Sequence, residues 1–161
     1  MNIEGRTILV TGASRGLGRA LSLAFAEAGA RQVFAGARKE SDIEQLASDR
    51  ISPIKLDVTS DDDVNATKQL GPIDILVNNA GVASYGNPVA MNFDDAMREM
   101  QVNYFGALRM TRALAPQMVE RGGGMIVNIA TAFAKINLPL VGLTARAKQR
   151  CYLLVRLCAL I

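Results

Sequence analysis

The sequence predicts an α/β fold, a doubly wound parallel sheet with helices on both faces. Three observations carry this. Short apolar runs of strand character alternate with helical stretches at intervals that suit βα units. The runs are nearly continuous in apolar residues, as strands buried on both faces must be. The first run leads through a glycine-rich turn straight into a helix.

Thr7–Val10 reads as the first buried strand. From Gly16 to about Ala28 the apolar residues Leu17, Leu21, Ala24, Phe25 and Ala28 follow helical spacing, and Gly29 supplies a C-terminal cap. Gln32–Gly36 is the second strand, and a short helix is expected over Ser41–Ser48. Ile51–Leu56 is a third strand, placed at an edge because Pro53 lacks a ladder donor. Ser60 caps a helix whose first turn, Asp61-Asp62-Asp63, suits the positive end of the helix dipole. Ile73–Val77 is the fourth strand. A long helix is expected from about Asp94 to Val119, kinked near Pro116, with Asp94, Asp95 and Glu99 on its polar face. The Gly122-Gly123-Gly124 turn introduces a fifth strand, Met125–Ile129.

Composition narrows the function. The 161 residues are 50% hydrophobic and 20% charged, which suits one globular domain and excludes a disordered chain. The net charge of +3, without any run of Lys or Arg, suits an anionic ligand and predicts no nucleic-acid partner. The absence of His removes Ser-His-Asp and Cys-His nucleophilic machinery and any His-based metal site. The two cysteines, Cys151 and Cys158, form no CxxC pair, and no metal site is expected. No apolar run reaches the roughly 18 residues of a membrane span. With no apolar leader at the start, a cytoplasmic location is expected.

The chemistry begins at Thr11-Gly12-Ala13-Ser14-Arg15-Gly16-Leu17-Gly18. Strand, glycine turn and helix start are the context a dinucleotide site requires. Glycines allow the backbone to approach a pyrophosphate, and the helix N-terminus offers free N–H groups. The end of the second strand then addresses the choice of dinucleotide. A carboxylate there would bind the 2′-hydroxyl of NAD and repel a 2′-phosphate. Ala37 stands in that place, Arg38 follows it, and Arg15 lies within the glycine turn, so NADP is expected over NAD.

These motifs resemble those of the short-chain dehydrogenases/reductases. Thr-Gly-x-x-x-Gly-x-Gly is similar to that family's first signature, and Asn78-Asn79-Ala80-Gly81 after the fourth strand to its second. Asp57, with Val58 beside it, matches the family's adenine contact, and Asn103 matches a helix Asn of its catalytic set. The resemblance runs from about residue 5 to 142. It implies a Rossmann-type fold and a cofactor site built from Gly12, Ser14, Arg15, Gly16, Leu17, Gly18, Arg38, Asp57, Val58, Asn79, Ala80 and Gly81. It also implies hydride transfer between nicotinamide and a small-molecule carbonyl or alcohol. Homo-oligomerisation is left open.

The family's chemistry uses a Tyr as acid/base, a Lys four residues later and a Ser upstream, because the alkoxide formed from a carbonyl must gain a proton. Lys148 fits the Lys and Thr131 keeps the upstream hydroxyl. Thr144, however, stands where the Tyr belongs, and an aliphatic hydroxyl is far less acidic than a phenol of pKa about 10. Impaired turnover is therefore expected. The alternative is a non-catalytic NADP-binding or interaction module.

Synonymous codons for residues 143–153 can be chosen so that a one-base shift reads Tyr-Ser-Ala-Ser-Lys-Ala-Ala-Leu-Leu-Ser, which resembles the family's active-site helix. The expected organisation is thus a dinucleotide-binding domain over 1–142, C-terminally truncated, followed by an atypical, frameshifted tail over 143–161.

Overall fold

The computed structural model describes residues 2–83 and 92–130. It contains a five-stranded parallel sheet in the order β3-β2-β1-β4-β5. The strands are β1 (Thr7–Thr11), β2 (Gln32–Ala37), β3 (Ile51–Lys55), β4 (Ile75–Asn78) and β5 (Met125–Asn128). Every residue of β1 and β4 is buried. Their side chains divide between two cores, which is why the sequence shows apolar runs rather than alternation.

On one face, Ile8, Val10, Val33, Ile75 and Val77 pack with Leu21 and Phe25 of helix α1 (Gly16–Glu27). On the other, Leu9 and Leu76 pack with Val64 of α2 (Asp61–Ala66) and with Met110, Leu114 and Met118, three buried residues of the long helix that precedes β5. Helices therefore cover both faces, and the expected doubly wound, Rossmann-like α/β architecture is present. Pro53 lies in β3, at one margin of the sheet, as its missing N–H requires.

Local signals account for the element ends. Gly29 adopts φ +85° just past α1. Ser60 Oγ accepts the Asp63 N–H at 3.3 Å and caps α2.

Three expectations are corrected. Residues 41–48 do not form one helix but two 3-10 turns, Glu40–Asp42 and Glu44–Leu46, because Ile43 and Leu46 are pulled into the core. The long helix is not uniform: α3 (Phe93–Met100) runs into a π-helical segment, Gln101–Gly106, and then α4 (Ala107–Glu120). The irregularity lies at that segment, while Pro116 is contained within α4. Glu99 does not share the solvent face of Asp94 and Asp95 but is fully buried, two residues before the π segment begins at Gln101.

Candidate dinucleotide-binding site

A cleft of about 740 Å³ opens at the carboxyl ends of β1, β2 and β4, where the strand order reverses direction. That crevice is where open α/β sheets bind ligands. Gly12, Ser14, Arg15, Gly16, Leu17, Arg38, Asp57, Val58, Asn79, Ala80 and Gly81 all line it. The structure thus gathers eleven of the twelve cofactor residues expected from sequence on one surface. Gly18 lies beneath this surface, buried at the start of α1.

The glycines act by removing bulk. Gly12 has φ +68° and Gly16 φ +55°, where side chains are strained. A Cβ on Gly12 would come within 2.8 Å of Ala80 Cα. One on Gly18 would run into the Gly12 carbonyl and Asn79 Nδ2. The turn therefore touches the Asn-Ala-Gly loop on one side and the helix on the other. The N-terminus of α1 has no side-chain cap and no acidic residue in its first turn, so its N–H groups and positive dipole end are available to an anion.

Two polar side chains hold the loops together. Thr11 is almost completely buried, and its Oγ1 accepts the N–H groups of Asn79 and Ala80, each at 3.0 Å, while donating to the Val77 carbonyl at 3.3 Å. In return, Asn79 Nδ2 donates to the carbonyls of Thr11 and Gly12, each at 3.0 Å. Asn79 thereby also fixes the shape of the glycine turn. Thr11 was absent from the site predicted by sequence, although it opens the motif. Its hydroxyl acts on residues 68 and 69 positions away, which no local pattern reveals.

Asp57 is held from below. Its backbone N–H donates to Asp63 Oδ2 at 2.9 Å, and its own Oδ1 accepts the Thr59 N–H at 2.9 Å and hydroxyl at 2.7 Å. The N–H of Asp57, together with the Lys55 ammonium at 3.1 Å, holds the Asp63 carboxyl below the usual aspartate value of 3.8. Val58 packs under Gly106, where a Cβ would approach Val58 Cγ2 to 2.6 Å.

Arg15 and Arg38 are exposed, and neither makes an ion pair or side-chain hydrogen bond among the described residues. Their guanidinium groups are thus uncommitted at the cleft. Asn103 is placed differently from the cofactor residues. Only 1% exposed and within the π segment, it accepts the Val82 N–H at 2.9 Å and donates to the Val82 carbonyl at 2.8 Å. It fastens the chain leaving the Asn-Ala-Gly loop to the long helix. Thr131 and Lys148, with Thr144 and the tail over 143–161, lie outside the described residues.

A glycine cradle, an uncapped helix start and two free guanidinium groups fit a phosphate-bearing dinucleotide, and the comparisons agree. Residues 6–157 match the profile of the family described as short chain dehydrogenase. The chain belongs to the short-chain dehydrogenase/reductase family, a family of oxidoreductases.

It is 35% identical over 154 residues to a dehydrogenase/reductase SDR family protein 7-like of Anopheles gambiae, covering 86% of this chain and 48% of the relative. It is 32% identical over 142 residues to an NADP-dependent 3-hydroxy acid dehydrogenase of Schizosaccharomyces pombe, covering 80% and 55%. The chain spans about half the length of these curated relatives. A short chain dehydrogenase of Burkholderia cenocepacia, solved in complex with NADP, superposes with TM-score 0.90 at 35% identity, over 98% of this chain and 67% of that one. A gluconate 5-dehydrogenase of the same organism, solved with NADP and tartrate, gives 0.89 at 32% identity, over 97% and 66%. No helix among the described residues is long and apolar enough to cross a membrane.

Proposed function

We propose that this chain carries the cofactor-binding part of an NADP-dependent oxidoreductase acting on a carbonyl/alcohol pair. The observation that carries the proposal is the cationic end of the cleft. Ala37 is buried at the close of β2, where a carboxylate would select NAD, and Arg38 and Arg15 stand free beside it. The NADP-bound relatives support the same reading.

When bound, the nicotinamide supplies or accepts a hydride. The chain's own residues bind and orient. The glycine turn and the start of α1 receive the pyrophosphate, Arg15 and Arg38 receive the 2′-phosphate, and Asp57 accepts from the adenine amino group. Asn103 holds the Val82 backbone at the exit of the Asn-Ala-Gly loop, and Thr131 offers a hydroxyl to the substrate oxygen. Lys148 holds the family's Lys position. Position 144, a threonine, supplies no phenolic proton.

Titration of the purified chain with NADPH and NADH tests the binding half of the proposal, with NADPH expected to bind more tightly. Arg38→Ala should weaken NADPH more than tenfold, as expected for loss of a charge-assisted hydrogen bond worth about 1.5–3 kcal/mol, and leave NADH nearly unchanged. Equal weakening of both would remove Arg38 from phosphate recognition. The second reading, a binding module without catalysis, is favoured by Thr144, and NADPH binding without carbonyl-dependent oxidation would establish it. If the tail is frameshifted, inserting one base before codon 143 should restore that oxidation, and the DNA sequence of this region decides the frame directly.

A further inference from the structure

Besides Ala37 and Arg38, Asp42 and Gln45 also line the cleft, on the segment that follows β2. Asp42 ends a tight turn, its N–H donating to the Lys39 carbonyl at 3.2 Å. The next residue, Ile43, is completely buried, and Leu46 is 4% exposed. Two core anchors therefore set the position of this segment, and Asp42 is held at the cleft by packing. Its side chain is exposed and makes no ion pair or hydrogen bond among the described residues. Asp42 has thus not neutralised Arg38 or Arg15. The end of the cleft that would take a 2′-phosphate contains two uncommitted cations and one uncommitted carboxylate.

We infer that Asp42 is a specificity-determining residue that opposes the 2′-phosphate and narrows the chain's preference for NADP over NAD. The inference rests on the reading of this cleft as a nicotinamide dinucleotide site. A fixed carboxylate lowers affinity for an ester carrying close to two negative charges and has little effect on a neutral 2′-hydroxyl. Being exposed, it acts through solvent, so its effect must fall with ionic strength.

The test measures dissociation constants of NADPH and NADH for the full chain and for Asp42→Asn, at low salt and at 1 M salt. Asp42→Asn should tighten NADPH by about fivefold at low salt, change NADH by less than about twofold, and lose most of its effect at 1 M salt, as charges several ångströms apart in solvent would. Asp42→Ser removes the same charge and should move the ratio in the same direction. Glu40→Gln removes a charge from the same turn without lining the cleft, and should move the ratio by less than either Asp42 variant.

If the unmodified chain binds NADPH and the Asp42 variants leave its preference for NADPH over NADH unchanged or weaken it, the role of Asp42 is overturned and the cofactor site stands. If the unmodified chain binds neither dinucleotide, both fail.

Discussion

At the scale of single residues, the site depends on atoms that are absent as much as on those present. Gly18 touches no part of the cleft surface, yet a methyl group there would meet the Gly12 backbone. Backbone cannot swing away as a flexible side chain can. Gly18→Ala is therefore expected to cost about 1–3 kcal/mol in urea unfolding and to weaken NADPH binding. Thr11 is the polar counterpart. Thr11→Val keeps the volume but leaves the N–H of Ala80 without its acceptor, while that of Asn79 keeps the Val77 carbonyl at 3.0 Å, a loss of about 1–3 kcal/mol for the one group left unpaired. Thr11→Ser should recover most of that loss, whereas a purely steric role for Thr11 would make Val the milder change and Ser the costlier one.

Asp63 makes the fold pH-dependent. Its folded carboxyl titrates below its unfolded value, so ionised Asp63 contributes stability that is fully present above the unfolded value and is lost as pH falls through the folded one. In Asp63→Asn, stability measured between pH 5 and pH 2 should fall less steeply than in the parent chain.

At the scale of elements, the glycine turn, the first helix and the strands were legible because their signals are local. Gly29 and Ser60 mark helix ends by chemistry that does not depend on the rest of the fold. The π segment was not legible. Nothing in Gln101–Gly106 breaks helical periodicity, and the proline that does was assigned the kink instead. The wider turn answers a tertiary demand: Asn103 reaches the Val82 backbone and Gly106 makes room for Val58. Such segments occur often at functional sites. Gly106→Ala should therefore push Val58 toward the cleft, lowering thermal stability and NADPH affinity together. A variant that lost stability with unchanged affinity would separate this segment from the cofactor site. The 41–48 region shows the opposite limit, since burial of Ile43 and Leu46 overrode a weak helical tendency.

At the scale of the whole molecule, two cores meet at one sheet, and the cleft is built where their covering helices part. The cofactor loops belong to both layers: Thr11 joins the end of β1 to the loop after β4, and Asn103 joins that loop to the helical layer. Ligand binding should therefore raise global stability rather than quieten one loop. NADPH at 100 times its dissociation constant should add about 2.7 kcal/mol to unfolding, by mass action alone. The sequence conveyed this architecture through its motifs, but it could not show that Asn79 and Asn103 also fasten distant segments to one another, since those contacts exist only in the fold.

The central position of β1 also bears on synthesis. Its neighbours are β2, which follows at Gln32, and β4, which begins only at Ile75. Once β3 has left the ribosome, one side of a strand that ends up entirely buried stays unzipped until some twenty further residues have been translated, about 1–4 s at ordinary elongation rates. In that interval the nascent polypeptide offers a sticky, unsatisfied ribbon to its surroundings, so a chaperone able to shield it would have most to do before β4 emerges.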